Sequence, residues 1–396
     1  MSAVAAAKKG RSASRWTVRP DELDPVLLVS AGVLLVLGLV MVASASITVA
    51  AREFGDPWHF LVKQAVFVGI GIFAAWVMVQ LPLARWRQLA RPLMVLGLVL
   101  LALVLVPGFG RTVNGSTRWL ELGAMAFQVS EAAKLAMIVY LADFVVRRET
   151  ALRSSWGGFL TPLALVGLAA LLLLLEPDFG AAVVLSACAL TILFLGGVPL
   201  ARFALLVGAA TAALAALAFS SPYRMERISA FLDPWADPFN SGFQLTQSLI
   251  AIGSGAWTGV GLGASVQKLF YLPEAHTDFL FAIFAEETGL LGVLTVIALY
   301  VVLVGRAFEI AGRAHRASMA FGGHLASGLG LWIALQAFIN IGVNMGLLPT
   351  KGLTLPLMSY GGSSTLTMCA AIGLLLRVQY EVAAAQRQAK PRGGKP

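Results

Sequence analysis

The sequence predicts an all-α, polytopic membrane protein with about ten transmembrane helices, and three observations carry that expectation. Apolar residues make up 58% of the 396 and charged residues only 12%, where a soluble domain carries roughly twice that charge fraction. The mean hydropathy is +0.82, and the charges fall in clusters between long apolar runs. The runs do not alternate in polarity as barrel strands do. Backbone that crosses lipid must then satisfy its hydrogen bonds within helices.

Runs long enough to cross, at roughly 20 apolar residues each, fall at about 25–46, 60–81, 91–107, 128–146, 157–176, 180–197, 202–220, 279–304, 321–347 and 362–379. The fifth and sixth are separated only by the tight turn Glu176-Pro177-Asp178-Phe179-Gly180. The eighth and ninth exceed the needed length and could tilt. Residues 25–380 therefore form one membrane domain, flanked by basic tails at 1–24 and 381–396. The first span could serve as an uncleaved signal anchor.

Lysine and arginine distribution sets the orientation. Lys8, Lys9, Arg11, Arg15 and Arg19 precede the first span. Alternate connections repeat the bias with Arg85, Arg87 and Arg91, then Arg147, Arg148 and Arg153, then Arg306, Arg313 and Arg316. The C-terminal tail adds Arg387, Lys390, Arg392 and Lys395. Both termini are expected in the cytoplasm, and the net charge of +9 suits anionic lipid headgroups rather than nucleic acid. Cys188 and Cys369 both lie inside expected spans, which suits neither a disulfide framework nor a metal site.

Three polar segments face outward in this topology. The largest, 221–278, contains Asp233-Pro234-Trp235 and a glycine series from Gly253 to Gly263. A structureless loop of that size is unusual and is often functional; 244–252 is apolar enough for a short interfacial or re-entrant helix. The second runs from Pro107 to about Phe127 and holds Arg118 and Trp119. The third, 348–356, holds Lys351.

Several chemistries are excluded. There is no Walker-type phosphate loop. The glycines at 255–263 follow no strand, and Asp178-Phe179-Gly180 has no kinase context. His59, His276, His315 and His324 are scattered, with no ligand spacing.

What remains are ionisable groups in or beside the membrane, which mark functional sites by default. Asp278 stands where the long outer segment re-enters the bilayer, in a stretch that also holds Lys268 and His276. Desolvation there would make its carboxylate a better base; alternatively, Asp278 N-caps the eighth span. Glu131 and Lys134, three apart, share one helix face and could be a buried ion pair or the lining of a headgroup cavity. Glu286 and Glu287 raise the same choice, with Lys63 as a partner for one of them. Arg118 beside Trp119 offers a bidentate cation next to an aromatic plane. Lys351 could snorkel to lipid phosphates. Ser359-Tyr360-Gly361-Gly362-Ser363-Ser364 could cradle an anion on backbone N–H groups or permit close helix packing.

These motifs together resemble the FtsW/RodA family, also called SEDS proteins. The resemblance rests on Asn344-Met345-Gly346-Leu347-Leu348-Pro349, Gly352-Leu353-Thr354-Leu355-Pro356 and Ser359-Tyr360-Gly361-Gly362-Ser363-Ser364. It rests also on Leu272 to Phe279, Val113-Asn114-Gly115, Arg118-Trp119, Ser130-Glu131-Ala132-Ala133-Lys134-Leu135 and Glu176 to Gly180. It covers about 25–380. Gly38 to Ser46, Val113-Asn114-Gly115 and Pro349-Thr350-Lys351-Gly352 look more like division-type members than elongation-type ones.

The resemblance implies a SEDS-type fold and a peptidoglycan glycosyltransferase that polymerises lipid II at the outer face of the bacterial inner membrane during cell division. It implies Asp278 as the base that deprotonates the acceptor hydroxyl. Arg118, Lys134, Lys268 and Lys351 become candidates for stabilising the pyrophosphate leaving group. Trp119, Glu131, His276, Ser359, Gly361 and Gly362 complete the expected substrate-binding set. A divalent cation could assist, although no ligand cluster is evident. The implied partners are a class B penicillin-binding protein transpeptidase and other divisome membrane proteins. The rival expectations are a lipid II flippase and a non-enzymatic divisome scaffold.

Overall fold

The computed structural model describes residues 18–19, 22–113, 116–122, 125–219, 225 and 229–389. The expectations on most of the N-terminal tail, on Asn114 and Gly115, on most of 221–227 and on 390–396 lie outside the described residues. Among the described residues, ten helices of 17 residues or more occupy the ten expected places. They are α1 (Pro25–Phe54), α2 (His59–Gln80), α3 (Leu83–Val104), α4 (Val129–Arg147), α6 (Trp156–Leu175), α7 (Phe179–Leu195), α8 (Leu200–Phe219), α10 (Leu280–Arg316), α11 (Ala320–Asn344) and α12 (Gly362–Ala389). Two shorter helices join them, α5 (Glu149–Ser154) and α9 (Phe243–Ser254). The latter is the helix expected at 244–252, and it packs on α10 and α11.

Seven of the long helices have the length and apolarity to cross a membrane. α4 carries Glu131, Lys134, Asp143 and Arg147 and can do so because it is an interior helix. Neighbours α3, α7, α11 and α12 surround it, and nearly every residue from Val129 to Val145 is buried. Short connections make consecutive helices antiparallel, so the bundle has an end that holds Asp278 and an opposite end that holds Arg87, Arg147 and Arg306.

Three helices run well past their expected C-terminal limits. α1 reaches Phe54, where Gly55 closes it in a left-handed cap. α10 reaches Arg316 because Arg306, Glu309 and Arg313 pair at helical spacing. α12 reaches Ala389 through an Ala-, Gln- and Arg-rich stretch of strong helix formers.

The segment 107–127 departs from an all-helical chain. It folds into a three-stranded antiparallel sheet, β1 (Gly110–Val113), β2 (Ser116–Leu122) and β3 (Met125–Gln128), in the order β1-β2-β3. Val113 pairs with Ser116, and the sequence between them is Asn-Gly, a strong hairpin signal.

α10 is broken at Gly289, whose φ of 66° and ψ of −166° are not helical. Segment 256–261 crosses the break and replaces the lost helical bonds. Val260 and Gly261 N–H donate to the carbonyls of Glu286 and Glu287 at 3.0 and 3.1 Å. Leu290 and Leu291 N–H donate to Ala256 and Trp257 at 2.9 and 3.2 Å. A Cβ on Gly289 would lie 2.4 Å from Gly259 N, inside the crossing backbone. Gly289→Ala should therefore cost on the order of 2 kcal/mol or more from strain and lost crossing bonds. It should sharply reduce the monodisperse peak in fluorescence-detected size exclusion; a wild-type profile would mean that the crossing contributes little.

Candidate active site

The site forms where four connections meet at the Asp278 end. Asp278 lies in the turn before α10, and its main-chain carbonyl is held by two side chains of α11. Asn340 Nδ2 donates to it at 2.8 Å and Asn344 Nδ2 at 3.0 Å. Asn340 also donates to Leu353 O, so one side chain ties 278 to the connection after α11. Asn344 Oδ1 accepts Ala282 N–H at 3.1 Å. Phe279, not Asp278, occupies the N-cap position of α10, and Asn344 serves a first-turn N–H there.

Gly352 brings that carboxylate to a cation. A Cβ at 352 would stand 3.2 Å from Asp278 Oδ2 and 3.9 Å from Arg118 Nη1, so the two charged groups lie within about 7 Å of each other. Lys351 is the adjacent residue, with Nζ 4.3 Å from the centre of the Phe179 ring. Arg118 reaches from β2 to the α6–α7 turn. Its Nε donates to Glu176 O at 3.4 Å, its Nη2 to Pro177 O, and its Nη1 lies 3.9 Å from Asp178 Oδ1. Asp178 caps α7 by accepting Ala181 N–H at 3.1 Å.

The remaining expected residues separate into two groups. His276 is in place: its ring packs 4.6 Å from Phe60 and 5.5 Å from Tyr360, centre to centre. Burial holds its pKa below the usual histidine value, so the imidazole is neutral near pH 7.

Other residues stand elsewhere or are already matched. Trp119 follows Arg118 on one strand, so the two project to opposite faces, and the cation in register with Trp119 is Arg111. Lys134 is buried 2.8 Å from Glu131 and 3.1 Å from Gln336 Oε1, which is the buried-pair alternative. Lys268 is buried 2.8 Å from Glu287 Oε1 and 2.9 Å from Ser44 Oγ, so its charge is met inside the bundle. Glu287 thus pairs with Lys268 and not with Lys63, which is exposed. Glu286 accepts Val266 N–H at 3.0 Å and the hydroxyl of Ser265.

The serine-glycine run is a packing element. Ser359 Oγ accepts Leu355 N–H at 2.9 Å, Tyr360 N–H donates to His276 O and Gly361 N–H to Gln64 Oε1. A Cβ on Gly362 would meet the Phe67 ring at 2.5 Å. The Tyr360 and Gly361 N–H groups are committed, and neither glycine has a positive φ.

Glu176 was expected only as part of a turn. It is fully buried, and neither carboxylate oxygen has a hydrogen-bond partner. Burial first, and the neighbouring Asp178 charge second, push its pKa up to about 8, against the pull of Arg118. A charged residue between two apolar runs, beside a second acid, is the sequence signal for such a group.

These features define a multi-pass membrane protein with an ionisable centre at one end of its bundle. The family model for FtsW, RodA and SpoVE, described as a cell cycle protein, matches residues 25–384, and the chain belongs to that family. It is 62% identical over 361 residues to the probable peptidoglycan glycosyltransferase FtsW of Thioalkalivibrio sulfidiphilus (strain HL-EbGR7), covering 91% of this chain and 90% of the relative. It is 52% identical over 394 residues to the probable peptidoglycan glycosyltransferase FtsW of Halorhodospira halophila (strain DSM 244 / SL1), covering 100% and 98%. Among solved structures it resembles a chain of a peptidoglycan synthase complex that coordinates polymerization and crosslinking, with a TM-score of 0.75, 31% identity and coverage of 91% of this chain and 98% of that one. It also resembles the rod shape determining protein RodA of Thermus thermophilus, with a TM-score of 0.67, 31% identity and coverage of 90% and 96%.

The raised pKa of Glu176 gives a pH test. The folded protein keeps the proton up to about pH 8, whereas an unfolded chain releases it near 4.5. Folding stability therefore falls between these values as pH rises and is level above them. Glu176→Gln lacks this loss. Its melting temperature in detergent should match wild type near pH 4.5 and exceed it by a margin that widens up to pH 8. A margin independent of pH would show that Glu176 is ionised throughout.

Proposed function

We propose that this chain polymerises lipid II into glycan strands at the outer face of the cytoplasmic membrane during cell division, with Asp278 as general base. The enzyme class is that of a peptidoglycan glycosyltransferase, in line with relatives 52–62% identical over most of the chain. The observation that carries the mechanism is the convergence of Asp278 and Arg118 at Gly352, beside Lys351. A carboxylate next to cations at a membrane-facing rim suits a reaction that needs a base on one side and a charged leaving group on the other.

In this reading Asp278 takes the proton from the acceptor's sugar 4-hydroxyl. The oxygen attacks the donor's anomeric carbon as the bond to the pyrophosphate-lipid breaks. Arg118 and Lys351 stabilise the departing pyrophosphate. Lys134 and Lys268 hold the helices that carry the site, since Glu131 and Glu287 already balance them. No nucleotide is consumed, because the donor bond is itself activated. The division septum is its place of action, and a class B penicillin-binding protein transpeptidase is its partner. The likeness to a chain of a peptidoglycan synthase complex supports that pairing.

Asparagine at 278 keeps the carbonyl that Asn340 and Asn344 hold, yet cannot accept a proton. Asp278→Asn should leave membrane abundance and melting temperature near wild type while lipid II polymerisation, read as glycan on a gel, falls about 100-fold or more. Robust polymer from this variant would remove Asp278 as the base. Wild-type protein that translocates lipid II across proteoliposomes and forms no polymer with its transpeptidase would establish the flippase instead.

Orientation has a separate test. Phe239 is 82% exposed at the Asp278 end, and both native cysteines are buried. Phe239→Cys should react with an impermeant maleimide in intact spheroplasts, and Arg148→Cys should react only after lysis. The reverse pattern would invert the topology.

A further inference from the structure

The end of the bundle opposite Asp278 holds a cavity of about 690 Å³ between the start of α3, the end of α4 and the start of α11. Its walls include Arg87, Arg91 and Arg147 around the single carboxylate of Asp143. Arg87 Nε donates to Asp143 Oδ1 at 2.9 Å, and Arg147 donates to Oδ2. Among the described residues Arg91 has no acidic partner. Three guanidinium groups against one carboxylate leave a net charge of +2 in the cavity. α11 begins at its wall, and Met319 at the N-cap offers no side-chain acceptor to the first-turn N–H groups. These donors and the positive end of the helix dipole add to the guanidinium field.

The apolar part of the site says what kind of anion fits. Leu83, Val146 and Phe321 share the cavity wall with the arginines. Below Arg91 on α3, Val95 and Val99 follow at i+4 and i+8 and are 52% and 55% exposed. A phosphate held by Arg91 would thus continue into an apolar stripe along the helix, the arrangement of a headgroup with its acyl chain. A soluble phosphate compound needs no such stripe.

We propose that this cavity binds the phosphate of an anionic phospholipid from the leaflet at the arginine-rich end, seating the headgroup between α3, α4 and α11. The site is at the other end of the bundle from Asp278 and Arg118 and is independent of the catalytic reading. The lipid would bridge three helices, of which α3 and α4 already meet here through Arg87 and Asp143.

The test uses the full chain, ejected from nanodiscs of equal parts phosphatidylglycerol and phosphatidylcholine into a native mass spectrometer. One phosphatidylglycerol should stay bound per chain, with little phosphatidylcholine. Arg91→Gln, which leaves the Asp143 pairs intact, should lower its retention about tenfold, as expected for one charge-assisted phosphate contact. Lys63→Gln, at the other end, should not change it. Equal melting temperatures for the two variants would separate lost binding from lost folding. If Arg91→Gln does not fold, the wild-type protein still decides, because millimolar inorganic phosphate should leave the bound phosphatidylglycerol in place. Displacement by phosphate, equal retention of both lipids, or full retention in a folded Arg91→Gln protein would each overturn the proposal.

Discussion

The position of Asp278 depends on how the chain satisfies backbone hydrogen bonds at the interruption of α10. Lipid supplies no donors or acceptors, so a helix broken at Gly289 must find substitutes within the protein. Segment 256–261 is that substitute, and lying across the break fixes where the chain goes next. The run from Ser265 to Lys268 is then bound to the two acids just before the break, Ser265, Val266 and Gln267 to Glu286 and Lys268 to Glu287. Ten residues later the chain arrives at Asp278, where Asn340 and Asn344 hold its carbonyl. The catalytic candidate is thus held at its main-chain carbonyl by two side chains of α11.

Charge matching inside the bundle follows the same logic. An ion drawn out of water is costly unless a counter-ion and hydrogen bonds meet it, and removing one partner of such a pair is more harmful than never having built it. Lys134 with Glu131 and Lys268 with Glu287 are met in this way. Glu176 is not, and its pKa records the difference. A neutral Glu176 under the Arg118 guanidinium leaves more of that positive charge to act toward Asp278 and Gly352.

The helices were legible because lipid imposes one pattern, a long apolar run, and α4 was legible despite its charges because its polar residues are few and spaced. The convergence of Asp278, Arg118 and Lys351 was legible only through resemblance, since residues 118, 278 and 351 are far apart in sequence and nothing local joins them. The buried partners of Lys134 and Lys268 could not be assigned with the same ease. Glu131 lies three residues from Lys134, but Glu287 reaches Lys268 only because the chain folds back across Gly289. The sheet at 110–128 was hidden by its shortness, although Asn114-Gly115 carries a hairpin signal. The serine-glycine run left two readings open because paired glycines serve close packing as well as anion binding; the ring of Phe67 against Gly362 shows the packing one.

The enclosure of α4 has a consequence for how the protein is made. A segment with Glu131, Lys134, Asp143 and Arg147 is a poor candidate for leaving the translocon alone, since a charged residue costs up to about 3 kcal/mol at the centre of an inserting helix. Its acids and bases neutralise one another only in part before Gln336 and Arg87 arrive from α11 and α3. α3 is synthesised earlier and already presents Arg87 to Asp143. α11 emerges some 200 residues later. Biogenesis must therefore hold α4 against α3 as a hairpin through most of translation, and the finished interior is sealed only when the last helices dock.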